Sequence, residues 1–296
     1  MHPLVQHWSA WSLGEKQNDI QKCVLSIIGL SISLIVDSND YNYQQIVLQH
    51  INSAISGFKS EDINIFVLRN IAYAYYKQCQ WNKGEALQVG VVEKAMHALG
   101  EEHPDTLTSM ANLASIYRNQ GRWKEAEALQ VVVMEKRMRA LGEEHPDTLT
   151  SMGDLADTYK NQGRWKEAEA LQVVVMEKRM HVLGEEHPDT VTSMGNLAHI
   201  YWNQGQWKEA EALEVVVMEK RKHILGEEHP DTLTSMENLA GTYRDQGQWK
   251  EAEALEVMVM EKRKHALEEE HPDTFTSIGD PADTYRDQGP CKRQRH

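Results

Sequence analysis

Cysteine is scarce. Cys23, Cys79 and Cys291 are the three in 296 residues, and no two form a CxxC pair. That spacing suggests neither a disulfide framework nor a structural zinc site. Long apolar runs are scarce too. The longest, "CVLSIIGLSISLIV" from Cys23 to Val36, falls short of the roughly 20 residues a membrane helix needs, and it carries Ser and Gly. It reads as a buried helix or strand. No basic stretch leads into an apolar one at the N-terminus, so no signal peptide is visible and the cytosol is the expected compartment. Positive charge does not dominate either. Lys and Arg number 31 against 45 Asp and Glu, a net charge of −14. This argues against nucleic acid and against an anionic membrane as partner. No G-x-x-x-x-G-K-[ST] occurs, which removes the usual phosphate cradle.

What is present is self-similarity. His-Pro-Asp-Thr begins at His103, His145, His187, His229 and His271, always 42 residues apart. The unit is clearest from Asp105 to Gly142, "DTLTSMANLASIYRNQGRWKEAEALQVVVMEKRMRALG". A diverged copy ends at Gly100. In register, Ile71 matches Leu113, Tyr75 matches Tyr117 and Trp81 matches Trp123.

Each unit reads as two helices. Leu107, Met110, Leu113, Ala114 and Tyr117 fall on one face of the first. "NQGRW" interrupts it, with Gly121 placed to follow the helix end in a left-handed conformation. The second helix runs from Trp123 to Leu141, packs through Ala126, Leu129 and Val133, and stops at Gly142. Neither helix can bury its apolar stripe alone. Stacking successive hairpins gives one continuous core, so the expected fold is an all-α solenoid. The hydrophobic content of 41% is enough to fill it.

The connector "LGEEHPDTLTSM" places a His beside carboxylates and hydroxyls. A zinc site needs three or four ligands within about 2.0–2.3 Å of one ion. Equivalent residues of neighbouring copies lie a helix spacing away, roughly 8–10 Å, and cannot share one. Thr106 and Ser109 have nothing to activate them, and five equal copies do not make one active site. The motif fits a helix start instead. Pro104 suits the first turn, Asp105 and the preceding glutamates suit the helix dipole, and His103 falls at or near the cap. With no nucleophile constellation, cofactor motif or metal cluster, the chain is read as no enzyme, and no cofactor is expected.

"NLASIYRNQGRWKEAEAL" resembles the tetratricopeptide repeat, with Leu113, Ala114, Tyr117, Gly121, Trp123 and Ala126 at its signature places. The 42-residue period and the "LGEEHPDT" connector resemble the kinesin-light-chain variety. The resemblance covers about residues 61–288 and implies a right-handed α-solenoid. Its units run about 61–102, 103–144, 145–186, 187–228 and 229–270, with a partial one at 271–288 and an aberrant tail at 289–296. Residues 1–60 form a non-repeat segment expected to be helical. "MHPLVQHWSAWSLGEKQ" is similar to the segment that joins nucleotide-binding module to repeats in fungal NB-ARC-type signalling ATPases. On that reading the chain is the sensor end of such a protein, without its nucleotide-binding module.

The family resemblance also implies a groove lined by first helices, where a peptide or partner domain binds. Carried over, its rows are Thr108, Thr150, Thr192 and Thr234; Ala111, Gly153, Gly195 and Glu237; Ser115, Asp157, His199 and Gly241; Arg118, Lys160, Trp202 and Arg244; and Asn119, Asn161, Asn203 and Asp245. Core positions such as Leu113, Leu155, Leu197 and Leu239 do not change between copies, whereas most of these rows do. The fourth row reads as a cationic stripe with one aromatic, suited to an acidic peptide carrying an aromatic or other apolar anchor. His199 reads as a polar lining residue. Trp123, Trp165, Trp207 and Trp249 are expected to pack between helices, and Met134, Met176, Met218 and Met260 to fill the core. The family's paired Asn is single here, at Asn112, Asn196 and Asn238, with Asp154 in one copy.

The last unit decays. Pro281 enters the first helix, and Lys292–His296 reads as a frameshifted remnant of "KEAEA". An uncapped, fraying end is the expected consequence.

Overall fold

A computed structural model describes residues 64–266. The expectations for residues 1–60, the helix around Pro281, the partial repeat to 288 and the tail at Lys292–His296 lie outside the described residues. The described chain is ten α-helices without a strand: α1 (Ile65–Lys77), α2 (Trp81–Leu99), α3 (Pro104–Asn119), α4 (Trp123–Leu141), α5 (Pro146–Asn161), α6 (Trp165–Leu183), α7 (Pro188–Asn203), α8 (Trp207–Leu225), α9 (Pro230–Asp245) and α10 (Trp249–Ala266).

The helix ends follow from local chemistry. Helices α3, α5, α7 and α9 each open on a proline, whose missing N–H would have had no partner in the first turn. The preceding histidine is the N-cap. Nδ1 of His103, His145, His187 and His229 accepts from the backbone N–H of Asp105, Asp147, Asp189 and Asp231 at 3.1–3.2 Å. Helix α1 lacks this motif, and there Asn64 Oδ1 accepts from Phe66 N at 2.8 Å instead. The His-Pro-Asp-Thr motif is therefore a capping device.

First helices end in left-handed glycines. Gly121, Gly163, Gly205 and Gly247 have φ between 76° and 78°, a region a side chain enters only at a cost of about 1–2 kcal/mol. In the diverged copy Cys79 stands at this place with φ 56°. Cys79 is also disulfide-bonded, which the spacing of the cysteines did not suggest.

The described residues fall into two compact units, 64–136 and 137–266. In the first, Val92 of α2 meets Leu107, Met110 and Leu113 of α3 and Val133 of α4, with Leu129 and Tyr117 packed on the edge. In the second, Val191 and Met194 of α7 pack with Val217 of α8 and with Met176 and Met180 of α6. The next cluster repeats this pattern with Leu233 and Met236 of α9, Val259 of α10 and Met218 of α8. Each cluster draws on three successive helices, and each such apolar side chain contributes about 1.5–3 kcal/mol by leaving water. Hairpin stacking, the solenoid organisation, holds within each unit, and Met176 and Met218 fill the core as expected.

Polar bonds reinforce the stack in ways the sequence reading did not foresee. In unit 137–266, Arg137, Arg179 and Arg221 each reach forward to the next first helix. Nη1 donates to the carbonyls of Asp147, Asp189 and Asp231 at 3.1–3.2 Å. It also donates to the hydroxyls of Ser151, Ser193 and Ser235 at 2.8–2.9 Å. The connector glutamates have ion-pair partners beyond the helix dipole: Lys220 reaches Glu185 at 3.3 Å and Lys262 reaches Glu227 at 2.8 Å. In unit 64–136 Lys136 reaches Glu101 at 2.9 Å.

The tryptophans that open the second helices are not core. Trp123, Trp207 and Trp249 are exposed, Trp249 by 66%, and Trp165 is half-buried. The small Ala three residues further on is the one that packs: Ala126, Ala168 and Ala210 are fully buried and Ala252 nearly so. At the first helical position the side chain lies over the turn before its own helix, away from the neighbouring hairpin.

Candidate functional site

The candidate residues sit near the C-terminal ends of first helices. In unit 64–136, Asn119 at the end of α3 donates through Nδ2 to the Ser115 carbonyl at 2.8 Å and to the Tyr76 hydroxyl of α1 at 3.2 Å. Arg118 beside it is half-buried.

Unit 137–266 brings six of its eight candidates into one patch across α5, α7 and α9. The indole Nε1 of Trp202 on α7 donates to Asp245 Oδ2 on α9 at 2.6 Å. The His199 ring stacks on Trp202, with centroids 6.1 Å apart and planes 21° from parallel. Asn203 Nδ2 donates to the His199 carbonyl at 2.7 Å and lies 3.3 Å from the imidazole Nε2. On α5, Lys160 Nζ pairs with Asp157 at 2.9 Å. Both charges act on the imidazole. Burial, then the Lys160 ammonium, push His199 down to about 4, against a smaller upward pull from Asp157. His199 is therefore a neutral ring at physiological pH.

Trp202 is half-buried with its N–H engaged. The cations are also engaged. Arg244 forms a short ion pair with Glu256 on α10, and Asn161 at the end of α5 is exposed. The contacts that join the six, described above, do not include these two. Each cation of the expected stripe in this unit therefore already has a carboxylate. Glu256, and Arg263 as the partner of the row residue Glu237 in a near-buried pair at 2.7 Å, were missed as participants. The signal for Glu256 was the replacement, between copies, of Gln by Glu. Among the described residues no group of His, Cys, Asp and Glu could hold a metal ion, and no helix is long and apolar enough to cross a membrane.

The tetratricopeptide repeat model matches residues 64–134, 110–179, 190–231 and 232–273. Among solved structures, the chain is similar to nearly identical TPR-like repeats of a kinesin-light-chain-type protein from Podosopora anserina. Identity is 32%, covering 67% of this chain and 94% of that one, with a TM-score of 0.61. BtubC from P. vanneervenii shares the fold at 20% identity, over 84% of this chain and 94% of that one, with a TM-score of 0.62. So does NprR in complex with its cognate peptide NprX, at 13% identity, over 96% and 84%, with a TM-score of 0.60. No curated protein matches the sequence. With the capped hairpins, the 42-residue period and the family match all in agreement, the chain belongs to the tetratricopeptide repeat family, and its repeats are of the kinesin-light-chain-like type.

Proposed function

We propose that the chain is a non-catalytic interaction scaffold, and that unit 137–266 takes an extended acidic peptide with an aromatic or other apolar anchor across α5, α7 and α9. The observation that supports this most is the Trp202 cluster. A large ring is held in place by Asp245 and His199, on a row where copies differ while the packing positions stay fixed. Preorganised aromatic side chains of this kind supply contact area at low entropic cost. The ion pairs do not oppose an acidic ligand strongly. Lys160 exchanges Asp157 for a ligand carboxylate, and a surface pair is worth only about 0–1 kcal/mol. The peptide-bound state of NprR is a precedent for the fold.

Quantitative pull-down with wild type, Trp202→Ala and Lys160→Glu tests the reading. Lys160 is chosen over Arg244, whose pair with Glu256 also holds α9 to α10. Both variants should keep their helix content and lose the same captured partner. Identical capture by all three proteins sinks the proposal.

A second reading, the sensor part of an NB-ARC-type ATPase, rests on Met1–Gln17. An adjoining upstream frame encoding a P-loop domain is what it requires, and genomic DNA without one overturns it.

A further inference from the structure

One position of the second helix, buried in four described copies and half-exposed in the last, changes character along the chain. Gln88, Gln130, Gln172, Glu214 and Glu256 occupy equivalent places. In unit 64–136 Gln88 Nε2 donates to the Ser109 carbonyl at 2.8 Å, and in unit 137–266 Gln172 Nε2 donates to the Ser193 carbonyl at 3.0 Å. The amide thus ties a second helix to the first helix that follows. At Glu214 the equivalent acceptor is the Ser235 carbonyl of α9. An ionised carboxylate has nothing to donate to it, so two acceptors would face each other out of water.

The surroundings give that charge little relief. Glu214 is 5% exposed with its Oε2 unsatisfied, and the one polar group that eases it is the Thr242 hydroxyl of α9. Glu256, one hairpin later and 31% exposed, pairs with Arg244. The residue equivalent to Arg244 in the hairpin of Glu214 is Trp202, which carries no charge. The titratable groups coupled to Glu214 are Glu211 on its own helix and Tyr243 on α9. Among the described residues no lysine or arginine of α7, α9 or α10 offsets it.

We propose that Glu214 is a proton-dependent latch between α8 and α9. Protonated, its carboxyl donates to the Ser235 carbonyl as the glutamines do in other hairpins. Ionised, it loses that bond, carries an unpaired buried charge and loosens the junction. Burial, with added repulsion from Glu211 and a smaller opposing effect of the Thr242 hydroxyl, pushes the carboxyl up to about 7. A carboxyl raised on folding contributes stability that is complete below its ordinary value near 4.5 and is lost as pH rises through about 7. The Trp202–Asp245 bond crosses the same repeat junction, from α7 to α9. The latch is nonetheless a statement about folding and stands whether or not a peptide binds there.

Denaturant midpoints of the full chain between pH 5 and pH 8.5 test it, for wild type, Glu214→Gln and Glu256→Gln. Glu214→Gln is expected to fold, because glutamine fills this place in three other hairpins. It should match wild type near pH 5 and exceed it increasingly up to pH 7, with the gap constant above. Hydrogen exchange should place the difference in residues 230–245. Glu256→Gln, which leaves Arg244 without its partner, should show an offset that does not change over this range. Parallel curves for wild type and Glu214→Gln overturn the proposal. So does a pH-dependent gap of equal size in Glu256→Gln.

Discussion

Trp202 and Asp245 lie 43 residues apart in sequence and 2.6 Å apart in space, with the indole N–H donating to the carboxylate. The bond joins two consecutive first helices, as Asn119 and Tyr76 do in the other unit at 3.2 Å. The ring proposed to receive the ligand's anchor is therefore also part of the stack. Trp202→Phe separates the two roles by keeping a ring and removing the donor. It should lower stability by about 0.5–1.5 kcal/mol, the usual worth of a hydrogen bond, in a urea titration. Binding of any aromatic-anchored peptide should survive better than in Trp202→Ala.

His199 titrates far from where an exposed histidine does. Its folded value of about 4 lies below the ordinary 6.5, chiefly through burial and then through Lys160. A base depressed on folding contributes stability that is present above 6.5 and is lost as pH falls toward 4. This opposes the trend expected of Glu214 over part of the same range. His199→Asn should flatten the acid limb of the stability curve between pH 6.5 and 4. NMR of the imidazole should show no protonation at pH 6, and a midpoint near 6.5 would refute the assignment.

Arg179 carries two bonds to the next hairpin, to Asp189 O at 3.2 Å and to Ser193 Oγ at 2.9 Å. Its burial lowers the guanidinium pKa, and arginine keeps its charge in proteins all the same. Arg179→Met should cost about 1.5–3 kcal/mol, the range for losing a hydrogen bond to a charged group. Arg179→Lys should recover little of that, since an ammonium cannot reproduce the planar fork. Calorimetric melting temperatures of the two variants check both statements. Equal melting of Arg179→Lys and wild type would show that charge alone matters.

The capping role of the repeated histidine is open to a direct measurement. His187→Ala removes the Nδ1 acceptor for Asp189 N at 3.2 Å. It should cost about 0.5–2 kcal/mol, as loss of an N-cap does elsewhere. His187→Asn should restore most of it, since asparagine is a preferred cap. A full loss with asparagine would mean that the imidazole does something other than cap.

Helix boundaries were legible in the sequence because their causes are local. His-Pro-Asp starts α3, α5, α7 and α9, and a left-handed glycine ends each, whatever packs against them. The core positions were legible because period and burial coincide at residues such as Leu197 and Val217. What was not legible depends on which neighbour a side chain meets. Trp207 was assigned to the core on size, but its direction at the helix start carries it outward. Arg179 drew no reading from the sequence, yet it is drawn over the junction by a serine 14 residues ahead. Arg244 looked like one cation of a stripe because its carboxylate is on the other helix of its hairpin, 12 residues on.

The junction bonds recur at fixed separations. Lysine and connector glutamate stand 35 residues apart, glutamine and serine carbonyl 21, arginine and serine hydroxyl 14. Each is satisfied entirely by adjacent hairpins. Inserting or excising one 42-residue module inside a unit would leave every such bond with an equivalent partner. Its length is thus nearly neutral to folding, and unequal crossing-over between near-identical coding segments can change the number of modules without an intermediate that fails to fold. Glu214 is the exception. A copy of that module placed before another hairpin would carry its proton requirement along, so pH tolerance, more than packing, would limit which module is multiplied.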